Sequence, residues 1–203
     1  AAGLSAEPGD IQIVYEKQIR PRLLHIESGQ FIDKSEYPEG LSPQTYDLKS
    51  VLKNSEYTQS LNPANDPAKI QQMPEWVAVY EVLEAEEVRR YILPVVGKGL
   101  WSTLYGFLAL DNDFRTLQGL TFYEHGETPG LGGEVDNPLW KKLWINRPAF
   151  DEQGNLRIEV IKGTVDDLSP KATYQIDGLS GSTLTTRGVH DLIRFWLGDR
   201  GYG

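Results

Sequence analysis

The sequence predicts an α+β fold: a single domain in which a central antiparallel sheet is flanked by helices. Three observations carry this. From Trp76 onward, runs of β-branched and aromatic residues follow one another at hairpin spacing. Near the C-terminus an amphipathic segment reads as a helix with one buried face. And 203 residues, 39% hydrophobic and 24% charged, have the balance of a folded chain large enough to bury a core.

In chain order, Ile11, Val14, Tyr15 and Ile19 recur at helical spacing and lead to Leu23 and Leu24. Pro21 interrupts that pattern, so a helix should give way to a strand around residues 23–26. Residues 33–73 are polar and rich in turn formers, which suggests short helices and loops. Residues 76–82 and 90–95, joined by an acidic turn, form a hairpin pattern. Residues 103–110 and 119–124 are β-like and are separated by the turn Asp111-Asn112-Asp113. Residues 156–161 alternate cleanly, as a strand with one wet face does, and 173–176 read as a last short strand. Val189, Leu192, Ile193, Trp196 and Leu197 then fall on one helical face, with Trp196 in the core and Gly198 placed to stop the helix. No repeat or linker divides the chain, so residues 1–203 read as one domain.

Composition removes several function classes. A net charge of −9 repels nucleic acid and anionic membrane surfaces. The absence of cysteine excludes thiol nucleophiles, disulfides, Cys-ligated zinc and iron–sulfur clusters. It also suits an oxidising compartment such as the bacterial periplasm. His25, His125 and His190 are too scattered to suggest a metal site, and none is expected. No stretch approaches the roughly 18 apolar residues that span a bilayer.

The segment 177–186, Asp-Gly-Leu-Ser-Gly-Ser-Thr-Leu-Thr-Thr, is the most informative. A strand end, a small-residue turn and a helix start make an anion seat, because first-turn N–H groups are unpaired and the helix dipole favours negative charge there. Gly181 permits close approach, and Ser180, Ser182 and Thr183 add hydroxyls. A helix cap at Ser182 or Thr183 explains the same pattern. It is neither a phosphate-binding Gly-Lys-Ser/Thr loop nor a nucleophile elbow, so a hydrolase built from Ser182, His125 and Asp177 has no supporting context.

Asp177-x-x-Ser180-Gly181-Ser182-Thr183 resembles the covalent-flavinylation motif of FMN-binding domains, with Ser182 where alanine is commoner. Upstream, Gly97-Lys98-Gly99-Leu100-Trp101-Ser102 and His125-Gly126-Glu127-Thr128-Pro129-Gly130-Leu131-Gly132-Gly133 occur in the family's order. With Gly188 and Phe195-Trp196-Leu197-Gly198, they resemble the C subunit of the sodium-translocating NADH:quinone oxidoreductase. The resemblance covers residues 76–198 and, more loosely, the N-terminal part.

It implies a fold of the FMN-binding-domain type and FMN joined through its phosphate to Thr183 by a flavin transferase that uses FAD; protein made without that enzyme would be empty. The surrounding FMN site would comprise Ser180, Gly181, Ser182, Leu184, Thr128, Gly130, Leu131, Gly132 and Trp101. The implied role is a one-electron relay in a respiratory, sodium-pumping membrane complex, with the other subunits as partners and the domain facing the periplasm from the bacterial inner membrane. The G subunit of Rnf-type complexes, and a non-redox module that binds a phosphate ligand, are the alternatives. No dinucleotide fingerprint is present, so NADH and quinone would bind elsewhere.

Thr128-Pro129-Gly130-Leu131 has the Pro and Gly of a type II turn, with Leu131 free to pack on a flat ring. A relay flavin needs no side-chain base. His125 and Glu127 are therefore assigned no catalytic role and are expected to fix the loop by hydrogen bonds. Trp101 is placed either beside the flavin or in the core.

The chain opens Ala1-Ala2-Gly3 without methionine and reads as a fragment whose parent carries one apolar stretch of about 20 residues upstream. The purified flavinylated fragment should not turn over NADH and quinone. Turnover at a rate comparable with an intact complex would identify a complete enzyme instead.

Overall fold

The computed structural model describes residues 10–203, and its architecture follows from how each strand finds a partner. Helix α1 (Ile11–Gln18) passes directly into β1 (Ile19–His25), followed by β2 (Gln30–Phe31), α2 (Leu48–Val51), β3 (Thr58–Ser60) and β4 (Gln72–Pro74). The long strands come next: β5 (Trp76–Glu84), β6 (Glu87–Lys98), β7 (Thr103–Asp111) and β8 (Thr116–Glu124). The chain ends with α3 (Pro138–Lys142), β9 (Arg147–Pro148), β10 (Glu159–Val160), β11 (Gln175–Ile176) and α4 (Thr183–Trp196). Seven strands form one sheet in the order β2-β1-β5-β6-β7-β8-β9, every pair antiparallel. The α+β, central-sheet expectation holds.

Four details differ from the sequence reading. The first strand begins at Ile19 and takes Pro21 into its interior. Where Pro21 stands opposite Tyr80, β1 has a neighbour on one side only, so a missing N–H breaks no second ladder. The polar region holds a small antiparallel hairpin, β3–β4, as well as short helices. Residues 156–161 keep their alternation, with Ile158 and Val160 buried, yet only Glu159–Val160 is a strand. It pairs in parallel with β11, outside the main sheet. The segment 173–176 is half helical turn, with β11 confined to Gln175–Ile176.

The β5–β6 hairpin turns through Ala85 and Glu86, both with positive φ (50° and 68°). The twist of a two-residue hairpin demands this, although neither residue is a usual choice for it. Beyond Ile92, β6 has no partner in β5, and Pro94 marks the opening. The exposed carbonyls are covered from α4 and its tail. Trp196 Nε1 donates to Val96 O at 2.8 Å, and Tyr202 Oη donates to Pro94 O at 2.7 Å.

Helix α4 is the core's main lid. Val189, Leu192, Ile193, Phe195 and Trp196 are buried in one apolar cluster with Val95, Val96, Leu104 and Leu108 of the sheet. It crosses β6 so closely that a side chain at Gly188 would strike the Lys98 carbonyl. The start of α4 therefore lies at the Lys98 end of β6, where β7 begins and β8 ends. Loops 99–102, 125–137 and 177–182 thus converge on one end of the sheet.

Trp196→Phe keeps most of the buried area and removes the bond to Val96 O. It should cost about 1–3 kcal/mol in urea unfolding, as an orphaned buried acceptor does. A loss within experimental error would show that the bond does not hold the helix down.

Candidate functional site

The convergence is tied together by one side chain, Glu127, which is only 5% exposed. Its Oε1 accepts from Trp101 N–H (2.9 Å), Ser102 N–H (3.0 Å) and Ser102 Oγ (3.0 Å). Its Oε2 accepts from Leu100 N–H (3.2 Å) and from Thr185 Oγ1 (2.6 Å). Three consecutive amides, 100–102, form a concave nest, and the carboxylate fills it. Gly99 and Gly132 leave it room: a Cβ on either would come within 2.7 Å of a carboxylate oxygen. The Ser102 hydroxyl also accepts from Gly126 N–H at 2.8 Å, closing the 99–102 loop onto the 125–133 loop.

His125 fixes the other side of its loop, as expected. Its Nδ1 accepts from Glu127 N–H (3.2 Å), which leaves Nε2 to donate to Asp136 Oδ2 (2.8 Å). Asp136 also accepts from Lys141 Nζ at 3.0 Å. Thr128–Leu131 is the type II turn anticipated: Leu131 N–H donates to Thr128 O at 3.1 Å, and Gly130 has φ +76°. The turn abuts the 177–183 segment. Leu131 Cδ2 lies 3.0 Å from where a Cβ on Gly181 would be, and Gly132 lies against Thr185 Oγ1.

Within 177–186 the hydroxyls divide sharply. Ser182 is the residue before the helix, yet its side chain makes no capping bond. Its Oγ is buried and donates instead to Thr185 Oγ1 at 2.9 Å. Thr186 Oγ1 accepts from Leu179 N–H and donates to Ser182 O, both at 2.9 Å. Thr183 is exposed, and among the described residues its hydroxyl has no hydrogen-bond partner. The first helical bond runs from Thr186 N–H to Ser182 O, which leaves the earlier first-turn amides uncapped. Asp177 sits behind the motif. Its Oδ1 accepts from Val165 N–H, and its carbonyl accepts from Trp140 Nε1, both at 2.8 Å.

Leu184 next to Thr183, Leu131 beside Gly181 and Trp101 in the 99–102 loop are 58%, 44% and 69% exposed. Trp101 is thus a surface residue rather than core. Ser180, Gly181, Thr128 and Gly130 are exposed beside them, while Ser182 and Gly132 are buried beneath. Every sequence-identified residue thus lies in one of the three converging loops or at the start of α4. Sequence reasoning missed the inward duties of Thr185, Ser102 and Trp140. The hydroxyl three positions after Ser182 was a usable signal for the first; nothing local marked Trp140.

Burial pushes the Glu127 carboxyl up, but hydrogen bonds from Thr185, Ser102 and Trp101 outweigh it, and the net shift is downward. Asp136 is likewise lowered: burial raises it, and the contacts with His125 and Lys141 more than compensate.

An exposed hydroxyl at an uncapped helix start, with exposed apolar side chains and a positive-φ turn in the loops that converge there, suits a phosphate that carries a flat ring. Residues 99–198 match the FMN-binding domain family. The curated C subunit of the Na(+)-translocating NADH-quinone reductase of Pseudomonas aeruginosa is 45% identical over 205 residues, 99% of this chain and 76% of that protein. Its namesake from Yersinia pestis is 40% identical, over 96% of this chain and 70% of that protein. The crystal structure of Shewanella oneidensis NqrC superposes with a TM-score of 0.87 at 30% identity, covering 100% of this chain and 89% of that one. The fold is that of an FMN-binding domain. The chain belongs to the family of C subunits of the Na(+)-translocating NADH-quinone reductases.

Both carboxylates have depressed folded-state values, so their stabilisation is complete above the unfolded carboxylate range, about pH 4.3. It disappears as pH falls through the lower folded values. A thermal-unfolding series should be flat in mild acid and fall below that range, with a shallower acid slope in Glu127→Gln. Equal slopes would show that the fold does not depress the Glu127 carboxyl.

Proposed function

We propose that this chain is an electron-relay subunit of a respiratory sodium-translocating NADH-quinone reductase, holding FMN as a phosphoester on Thr183. The observation that carries the attachment site is the division of hydroxyls. Ser182, Thr185 and Thr186 are buried and hydrogen-bonded, and Thr183 is exposed and unbonded. A transferase can reach only the last of these without breaking the helix start.

In the attachment step, Thr183 Oγ forms a bond to the FMN phosphorus of FAD and loses its proton. The P–O bond to the AMP half breaks, and AMP leaves. The uncapped amides at the start of α4 would hold that phosphate and stabilise its charge. Leu131, Leu184 and Trp101 offer apolar surface to the ring, and the Thr128–Leu131 turn presents backbone groups to its polar edge. When bound, FMN supplies the one-electron chemistry, while the protein binds and orients it.

Sodium translocation requires a membrane, and among the described residues no helix is long and apolar enough to cross one. We place the domain on the periplasmic face of the bacterial inner membrane, held there by the other subunits. The net charge of −9 keeps it off anionic headgroups and turned toward protein partners.

Co-production with a flavin transferase should give yellow protein whose flavin survives denaturation, and Thr183→Ala should give none. An adduct mapped to Thr185 or Thr186 would overturn the assignment. Gly130→Val should weaken the seat by roughly 1–3 kcal/mol, because a β-branched residue resists positive φ. Nothing lies within 4 Å of its missing Cβ, so steric crowding cannot mimic that effect. Unchanged flavin spectra and stability in this variant would show that the turn plays no part in seating.

A further inference from the structure

We propose that Glu127 is the positioning residue of the flavin seat, its carboxylate docking the Trp101 loop on the first turn of α4 and thereby setting the flavin's exposure and potential. This rests on the attachment to Thr183 proposed above.

Among the described residues, three elements that would surround the cofactor meet through polar groups at this side chain. The 99–102 loop contributes three amides and a hydroxyl, and α4 contributes Thr185. Glu127 itself opens into the Thr128–Leu131 turn. The proton order along the α4 branch is set: Ser182 donates to Thr185, and Thr185 donates to Glu127. Glu127 is therefore a pure acceptor at the end of a donor chain, a role that only an anion fills at both oxygens.

An isosteric amide cannot replace it. If the amide nitrogen stood at the Oε1 position, it would face the Trp101 and Ser102 N–H groups. At the Oε2 position it would face Leu100 N–H. Either orientation sets donor against donor, so charge and shape separate cleanly in Glu127→Gln. The carboxylate is also a buried negative charge. Among the described residues it forms no ion pair; every partner is a neutral donor. A fixed anion close to the cofactor disfavours its reduction.

The test co-produces wild type, Glu127→Gln, Thr185→Val and Thr185→Ser with a flavin transferase. It measures the ester-linked flavin by mass, its midpoint potential, and its fluorescence quenching by iodide. In Glu127→Gln the potential should move positive by about a tenfold change in the reduction equilibrium, roughly 59 mV for a one-electron couple. Quenching should rise as the Trp101 loop loosens. Thr185→Val keeps the charge and cuts the link to α4, so it should raise quenching, and Thr185→Ser should restore the wild-type value. A folded Glu127→Gln protein that accepts no flavin also supports the proposal. If Glu127→Gln does not fold, the Thr185 pair decides. Wild-type potential and quenching in Glu127→Gln, or wild-type quenching in Thr185→Val, would overturn it. Wild-type protein with no flavin on Thr183 would instead overturn the attachment reading, and this inference with it.

Discussion

A carboxylate that leaves water must be met by donors, and Glu127 has collected five of them from two segments remote in sequence. Desolvating an anion costs several kcal/mol, and only a full set of donors repays it. That requirement acts as a constraint on everything around it. The 99–102 loop must curl so that three successive amides point inward. Gly99 and Gly132 must lack side chains. Position 185, on the inner face of α4, must carry a hydroxyl. The apolar core places the helix on the sheet; the buried carboxylate fixes how the helix start and the two loops are phased against each other.

The fold supplies the coincidence that makes this possible. In the β6–β7 hairpin and at the end of β8, the chain reverses at the edge where α4 starts, because α4 runs back along β6 toward its proline-marked opening. The far end of α4 is sealed by Trp196 and Tyr202 on β6 carbonyls. One end of the helix thus satisfies the sheet's open edge, and the other keeps its own first-turn amides unspent. A side-chain cap there would have used the same donors that a phosphate needs. Ser182 turns its hydroxyl inward to Thr185 instead, so the anion seat survives beside a serine that could have closed it.

Much of this was legible in the sequence where pattern and physics coincide. The long hairpins and α4 have strong periodicity and deep burial, so alternation and helical spacing found them, although the reading cut β6 short at both ends (90–95 against Glu87–Lys98) and began β8 three residues late. The motif at 177–186 was readable as an anion seat but not as one with a unique acceptor, since Ser182 and Thr183 are equally good caps on paper. Only the fold shows that three of the neighbouring hydroxyls are committed. Weak signals failed for identifiable reasons. Pro21 looked like the break between helix and strand, because the sequence cannot show that β1 lacks a second neighbour there and so takes the proline inside it. Residues 156–161 alternate because one face packs on the core, and alternation carries no information about which partner, if any, pairs the backbone. The donors around Glu127 are mostly backbone amides, which no residue type announces.

The seat's openness explains why a covalent link suits it. Trp101, Leu131 and Leu184 stand on the surface instead of lining a closed cavity, so the apolar area they can take from water is small compared with the enclosed pockets that hold tight non-covalent ligands. Enclosing the ring would raise affinity and also bury the edge through which electrons enter and leave. The ester proposed at Thr183 would separate the two demands. Retention is given to a bond that does not dissociate, and the non-covalent surface needs only to orient the ring, which a tether makes easy by holding it at high effective concentration. Orientation then depends on how rigidly three short loops are held, and that rigidity traces back to the buried carboxylate beneath them.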